Sequence, residues 1–273
     1  MAYIGANDAV YLIFVIAAIK AGYKALYVSP RNSEEAQLNL FKLTDCDIIY
    51  HDATFEEPVK LWLAKRSNMK ASFLAPLDFW LAEDIVTEPF PYLKVADDAE
   101  WEPFVVLHTS GSTGLPKPIV VRNGLIMLND KLHSLPTWKG TESAVRGLAR
   151  SKRNLTPSMD VGTLFPPFGL ADQVYYTVPF SHASGLYTFF GFHVYWGTPV
   201  TFAITNRPFT ADFVLEQLAH AGPDIDSISL PPSVLEELSI TENGCEMLSK
   251  LKFVVFGGGQ CLPPANKVYI FVC

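Results

Sequence analysis

The side chains best suited to chemistry lie in one stretch, LHTSGSTGLPKPIVV, from Leu107 to Val121. Thr109, Ser110, Ser112 and Thr113 carry hydroxyls, interleaved with Gly111 and Gly114, and Lys117 follows. Glycine lets the backbone turn sharply and approach a ligand closely. Successive backbone N–H groups form an anion-binding concavity. The hydroxyls add donors, and a lysine adds a compact positive charge. Together these parts suit a polyphosphate. The spacing is not that of a Walker A loop, which needs G-x-x-x-x-G-K-[S/T]; here it is Gly111-x-x-Gly114-x-x-Lys117, with Pro118 after the lysine. A G-x-G-x-x-G dinucleotide fingerprint is also absent from this stretch. A polar hairpin linker is the alternative reading. The length of the string and its place after an apolar run favour the phosphate loop, and the lysine spacing disfavours a further alternative, another P-loop NTPase.

Other candidates are less specific one at a time. His182, in VPFSHASGL, reads by itself as a core histidine with a satisfied hydrogen bond. SHASG is not a nucleophile elbow, because that motif needs glycine where His182 stands. Gly257, Gly258 and Gly259 follow the apolar FVVF and read as a strand-end turn. Tyr187, Phe189, Phe190 and Phe192 either pack a helix core, the ordinary place for such aromatics, or wall an apolar pocket. Lys139 to Asp160, with Arg146, Arg150, Lys152 and Arg153, reads as a solvated loop, with a phosphate-reading patch as the alternative. Cys46, Cys245, Cys261 and Cys273 form no CxxC pair and none sits at zinc spacing from a histidine. No metal ligand is assigned. This usage disfavours a disulfide framework and points to a reducing, cytoplasmic setting.

These residues need a scaffold, and helical and strand patterns alternate along the chain. Asn7 and Asp8 are placed to cap a helix running to about Ala21, with Gly22 as its stop. KALYVS follows as a β-rich run ending at Pro30. Ser33 opens a second helix, with Glu34 and Glu35 in its first turn, where the helix dipole favours negative charge. DIIYH reads as a buried strand. The rhythm returns in FVVLH (Phe104 to His108), in PIVVRNG leading to a helix from about Leu125, and in TPVTFAI before a helix from Thr210 to His220. DSISL, a helix after Pro231 and Pro232, and KFVVF complete it. Such β-α-β alternation predicts an α/β protein with largely parallel sheets flanked by helices. Residues from about Phe55 to Trp101 show no clean period.

At 273 residues, with 49% hydrophobic and 18% charged residues, the chain has material for a large core, and disordered and fibrous classes are excluded. The net charge of −7 argues against a nucleic-acid partner. The apolar run from Val10 to Ile19 is too short to span a bilayer and reads as a buried helix.

TSGSTGLPK resembles the phosphate-loop signature of the adenylate-forming enzymes: acyl-CoA ligases, luciferases and the adenylation domains of nonribosomal peptide synthetases. IKAGYKALYVSPRNSEEA from Ile19, VPFSHASGL from Val178 and FVVFGGGQCLPP from Phe253 resemble further segments of that family, in the family's order. The wording of SPRNSEEAQ and HTSGSTGLPKPIVV is most similar to fungal synthetase-like proteins, in which adenylation, carrier and reductase domains share one chain. The resemblance implies the N-terminal large domain of such an enzyme, over residues 1–264. It implies ATP and Mg2+ as cofactors, a carboxylic acid as substrate, and carrier phosphopantetheine or coenzyme A as thiol acceptor. Carried over residue by residue, Thr109, Ser110, Ser112, Thr113 and Lys117 hold the phosphates, and Gly111 and Gly114 allow the close backbone approach. His182 lines the carboxylate site, with His182 and Lys117 as the catalytic pair, and Gly257, Gly258 and Gly259 pass beside the adenylate. The family's later motifs do not follow. The residues 265–273, ending NKVYIFVC, depart from the family pattern, and its C-terminal lid is expected to be absent. The resemblance therefore implies a carboxylate-activating ligase with impaired turnover. The alternative is an inactive fragment that at most binds nucleotide or a carrier partner.

Overall fold

The computed structural model describes residues 1–83, 87–109, 114–134, 171–194, 197–204, 207–222, 224–256 and 270–272, with only the backbone described for 129–134, 191–192 and 270–272. The chain divides into two units, Met1–Leu128 with Pro179–Leu186, and Asn129–Val178 with Tyr187–Cys273.

The first unit is built on a six-stranded sheet. Its elements are β1 (Ala2–Ile4), α1 (Val10–Lys20), β2 (Leu26–Tyr27), α2 (Glu34–Leu43), β3 (Ile48–His51), α3 (Glu56–Lys65), β4 (Lys70–Phe73), α4 (Leu77–Trp80), α5 (Ala96–Ala99), β5 (Pro103–His108) and β6 (Pro118–Arg122). Helix α6 (Asn123–Ser134) begins in this unit. The strand order is β4-β3-β1-β2-β5-β6. Every neighbouring pair is parallel except β5 with β6, which is antiparallel.

Alternation along β1 explains how the sheet is covered on both faces. Ala2 and Ile4 join Leu26, Ile49 and Val106 in a core with Leu40, Phe41, Val59 and Trp62 from α2 and α3. Tyr3 packs instead on Tyr11 of α1, with ring centroids 4.6 Å apart, and Tyr11 packs on Tyr27 at 4.8 Å. Burial holds the phenols of Tyr3, Tyr11 and Tyr27 well above the usual tyrosine range, so they stay neutral. The apolar run expected to form a buried helix does so as α1, and among the described residues no helix is long and apolar enough to cross a membrane.

Local capping rules hold at some helix starts and not at others. Ser33 Oγ accepts the Ala36 N–H at 3.3 Å, with Glu34 and Glu35 in the first turn of α2. At α1 the cap position falls on Ala9, which has no side-chain cap bond, and not on the expected Asn7 or Asp8. Asp8 Oδ1 accepts the Val10 N–H at 2.9 Å, whereas Asn7 Oδ1 accepts the N–H of Phe180 at 2.7 Å, a tertiary bond no local pattern announces. The region from Phe55 to Trp101 contains α3, β4, α4 and α5. Its period is faint because α3 buries only Val59 and Trp62, and β4 is an exposed edge strand.

The second unit carries β7 (Val174–Tyr176), a π-helical stretch Phe189–Val194, β8 (Val200–Phe202), α8 (Ala211–Ala221), β9 (Ser227–Leu230), α9 (Pro232–Ser239), α10 (Glu242–Lys250), β10 (Phe253–Phe256) and β11 (Ile270–Val272). The π-helical stretch follows directly on the short helix α7 (Ala183–Thr188), which runs across the division between the units. The sheet order is β11-β10-β9-β7-β8, and every pair is parallel. Ile270–Val272, from the segment read as an atypical tail, thus forms a strand beside β10. Tyr175, Ile228 and Val254 from the strands meet Val214, Leu235 and Leu248 from the helices in one core. Thr210 Oγ1 accepts the Phe213 N–H at 3.4 Å and caps α8.

His193 is buried here, at 3% exposure, its ring centroid 5.2 Å from that of Tyr176. Burial pulls its pKa from the usual 6.5 down to about 4. The unfolded chain therefore binds the proton more readily than the folded one. This contribution to stability is whole above about pH 6.5 and shrinks as pH falls toward 4. Over that window it is worth on the order of 3 kcal/mol. Asp226 does not confuse the comparison, since backbone and Lys252 hydrogen bonds outweigh desolvation and hold its carboxyl below the usual range, under the window. Urea unfolding at stepped pH between 7 and 4.5 is expected to show a flatter decline for His193→Phe than for the unaltered chain.

Candidate functional site

Parallel strands align their carboxyl ends along one edge of a sheet, and the loops that follow them gather there. In the first unit those loops include the one after β1 with Asn7, the Ser29–Asn32 turn after β2, the one after β3 with Asp52, and the chain leaving β5 at Thr109. The bond from Phe180 N–H to Asn7 Oδ1 brings the segment Pro179–Leu186, and with it His182, to the same unit.

The β5–β6 pair closes at its open end through two bonds between Thr109 and Lys117. Thr109 N–H donates to the Lys117 carbonyl at 3.1 Å, and Lys117 N–H donates to Thr109 Oγ1 at 3.0 Å. The amide of Thr109 is therefore spent within the hairpin, and only its hydroxyl hydrogen is left for a ligand. Gly114 has φ +153 with nothing within 4 Å of a built Cβ, so the glycine serves the backbone conformation rather than relieving crowding. The Lys117 side chain is exposed and its ammonium makes no ion pair among the described residues. Ser110, Gly111, Ser112, Thr113, Gly257, Gly258 and Gly259 lie outside the described residues, as does the basic stretch Lys139 to Asp160.

Directly before Thr109, His108 uses both ring nitrogens. Ser29 N–H donates to Nε2 at 3.0 Å, and Asn32 Nδ2 lies 3.3 Å from the same atom. Nε2 is therefore the acceptor, which assigns the ring proton to Nδ1, and Nδ1–H donates to the Thr109 carbonyl at 2.8 Å. The turn it grips is itself organised. Gln37 Nε2 donates to the Ser29 carbonyl at 2.8 Å, and Asn32 Nδ2 to Gln37 Oε1 at 3.3 Å. Sequence reasoning quoted these residues without giving His108, Asn32 or Gln37 a role. The available signal was a histidine closing an apolar strand just ahead of a glycine-rich loop.

His182 donates its backbone N–H to the Pro179 carbonyl at 3.0 Å, and its Nδ1 lies 3.2 Å from Ser184 Oγ. Its pKa is held below the usual value, first by partial desolvation and then by electrostatic interaction with the nearby His108 and Arg31. The imidazole is therefore neutral at pH 7. Arg31 makes no side-chain ion pair among the described residues, which leaves its guanidinium near His182 unneutralised. Gly185 shows why this motif needs a glycine. A Cβ there would stand 2.0 Å from the Pro179 carbonyl oxygen, so α7 reaches the preceding turn only without a side chain. Of the aromatic run, Tyr187 packs beside Val174, Phe253 and Val255, and the rings of Phe189 and Tyr176 lie 6.4 Å apart, as core packing predicts. The side chain of Phe192 lies outside the described residues.

Two cavities are lined by other residues. One of about 340 Å3 is lined by His51, Glu56, Lys60 and Phe73, and one of about 670 Å3 by Tyr175, Thr201, Phe213 and Gln217. Neither holds Thr109, Lys117 or His182. Among the described residues no group of three or more His, Cys, Asp or Glu converges in the way a protein-built metal site requires. Cys46 and Cys245 are free thiols.

A profile of the AMP-binding enzyme family matches residues 2–269. The chain is 42% identical over 268 residues to a carboxylic acid reductase of Neurospora crassa, a match covering 97% of this chain and 23% of that protein. It is 34% identical over 278 residues to an isocyanide synthase-NRPS hybrid of Aspergillus fumigatus, covering 97% of this chain and 16% of that protein. The chain thus spans less than a quarter of the length of these relatives. Among solved structures, it superposes with a TM-score of 0.67 at 15% identity on the inhibitor-bound N-terminal domain of FACL13 from Mycobacterium tuberculosis, covering 99% of this chain and 60% of that one, a likeness of fold.

The hairpin closure can be tested directly. Thr109→Val removes the acceptor of the Lys117 N–H, a loss of about 1 kcal/mol at an exposed site. Hydrogen exchange at the Lys117 amide is expected to quicken about fivefold. Thr109→Ser, which keeps the oxygen, should leave it near the unaltered rate.

Proposed function

The chain belongs to the AMP-binding enzyme family, and on that premise we propose that it contributes to ATP-dependent activation of a carboxylic acid for transfer to a thiol. In the first step a carboxylate oxygen attacks the α-phosphorus of ATP. The bond to the bridging oxygen breaks, pyrophosphate leaves with the electron pair, and an acyl-adenylate remains. In the second step a thiolate sulfur, from coenzyme A or carrier-bound phosphopantetheine, attacks the acyl carbon and AMP departs. The name of the Neurospora crassa relative agrees with a carboxylic acid as substrate. In this reading residues 1–264 are part of the large adenylation domain.

The observation that carries the proposal is the Thr109–Lys117 closure, which ends in a lysine ammonium without an ion pair among the described residues. A displacement at phosphorus asks the protein for alignment and charge stabilisation more than for covalent help. Lys117 supplies a point charge to the β- and γ-phosphates, and the Thr109 hydroxyl supplies one donor. Ser110, Ser112 and Thr113 are assigned further donors, and Gly111 with Gly114 the close backbone approach. Neutral His182 lines the carboxylate site, where it can donate or accept a hydrogen bond without adding charge. Gly257, Gly258 and Gly259 are assigned to the side of the adenylate. Magnesium accompanies ATP in this family's reading. The described residues offer it no protein-built cage.

Isotope exchange between pyrophosphate and ATP, run with a panel of aryl and aliphatic acids, tests the activity. Exchange with any acid supports the proposal. Binding of a non-hydrolysable ATP analogue without exchange across the panel leaves an inactive nucleotide binder. Lys117→Ala is expected to weaken analogue binding about tenfold or more, the scale of a lost charge-assisted hydrogen bond. Unchanged affinity in that variant would count against the loop assignment.

A further inference from the structure

Between β2 and β5 the ladder registers a single pair, Leu26 with Val106. The two strands are central in the sheet, and each runs on to a loop at its carboxyl end. Past Leu26 and Val106, the bonds that join those two loops run through one imidazole. His108 Nε2 takes the Ser29 N–H, and Nδ1–H holds the Thr109 carbonyl. Ser29 and His108 are 79 residues apart in sequence.

We propose that His108 is a positioning residue that ties the start of the Thr109–Lys117 loop to the Ser29–Asn32 turn and so fixes the loop for its ligand. The inference rests on the nucleotide reading of that loop given above. A ring with one donor and one acceptor on fixed, opposed directions suits this task. It satisfies an amide and a carbonyl that would otherwise face solvent beyond the end of a short ladder. The grip is two-sided. Thr109 is also held through its own amide and hydroxyl by Lys117, so the ring's pull on the Thr109 carbonyl sets where the whole loop base stands. On the other side, Gln37, 1% exposed and bonded to the Ser29 carbonyl, anchors the turn to α2. The loop is thereby referred to the buried part of the sheet and not only to the edge strand β6.

The test uses the intact 273-residue chain with three substitutions. His108→Asn keeps a polar group near Nδ1 but does not reach Ser29. His108→Gln reaches Ser29 but leaves the Thr109 carbonyl, and His108→Phe keeps the shape and loses both bonds. Affinity for a non-hydrolysable ATP analogue is expected to fall about tenfold in His108→Phe and by less in the other two, with the melting temperature of all three close to that of the unaltered chain. Nitrogen-15 spectra of the histidine rings should show His108 as the Nδ1–H tautomer. Exchange of the Ser29 amide should quicken in His108→Phe and His108→Asn but not in His108→Gln. Unaltered analogue affinity in His108→Phe, or an Nε2–H tautomer, overturns the inference. If the unaltered chain binds no nucleotide, the reading of the loop falls. The tautomer and the Ser29 exchange pattern then decide the link itself, and a pattern indifferent to the three variants refutes it.

Discussion

Five strands of the first unit run parallel, and that alignment is the constraint on which its chemistry depends. Parallel strands deliver their carboxyl ends to one edge, so loops far apart in sequence become neighbours without any contact between their own side chains. The antiparallel β6 makes the one exception, and it is a useful one. A hairpin return keeps the loop after β5 at that edge, where a parallel connection would carry the chain across a face of the sheet. The polar string that reads as a phosphate loop is therefore held at both its ends, by Thr109 and by Lys117.

Around this edge the structure uses few long-range polar bonds, each at a point where a strand has ended. Asn7 holds Phe180, His108 holds Ser29, and Asp52 Oδ2 takes the Ala6 N–H at 2.6 Å. In each case the donor is a backbone amide just past regular structure, a group that has left the ladder and finds its partner in a side chain. The same bonds that satisfy these amides bring the loops into register. Rigidity beneath them comes from the aromatic layer of Tyr3, Tyr11, Phe14 and Tyr27 on one face and the aliphatic core with Phe41 and Trp62 on the other. The proposed role of the loop accords with this design, since binding by alignment and charge needs a stiff base more than a reactive side chain.

Much of the scaffold was legible because local rules and burial agreed. FVVLH and KFVVF carry continuous apolar cores, as strands covered on both faces do, and they form β5 and β10, whereas DSISL alternates serine with Ile228 and Leu230 and forms β9, buried at all four strand positions. Ser33 and Thr210 sit where a capping hydroxyl is wanted, and both cap. Where burial is slight the signal fails. Helix α3 and strand β4 present few buried apolar positions, so the stretch around them carried no readable period. Asn7 misled for a different reason. A short amide side chain serves equally as a local cap or as a distant acceptor, and only the nearness of Phe180 selects the second.

The amino-acid sequence alone determined the kinds of element, most of their limits, the α/β class and the chemical character of the Thr109–Lys117 loop, because each follows from interactions among residues close along the chain. Which groups meet was decided by tertiary structure. His108 and Ser29 lie 79 residues apart, and Asn7 and Phe180 lie 173 apart. Gly185 is needed because a carbonyl from the preceding turn fills the space a side chain would take. The tautomer of His108, the withdrawal of the Thr109 amide from ligand binding and the neutral state of His182 likewise depend on what folding packs beside each group. Distance along the chain says nothing of that proximity.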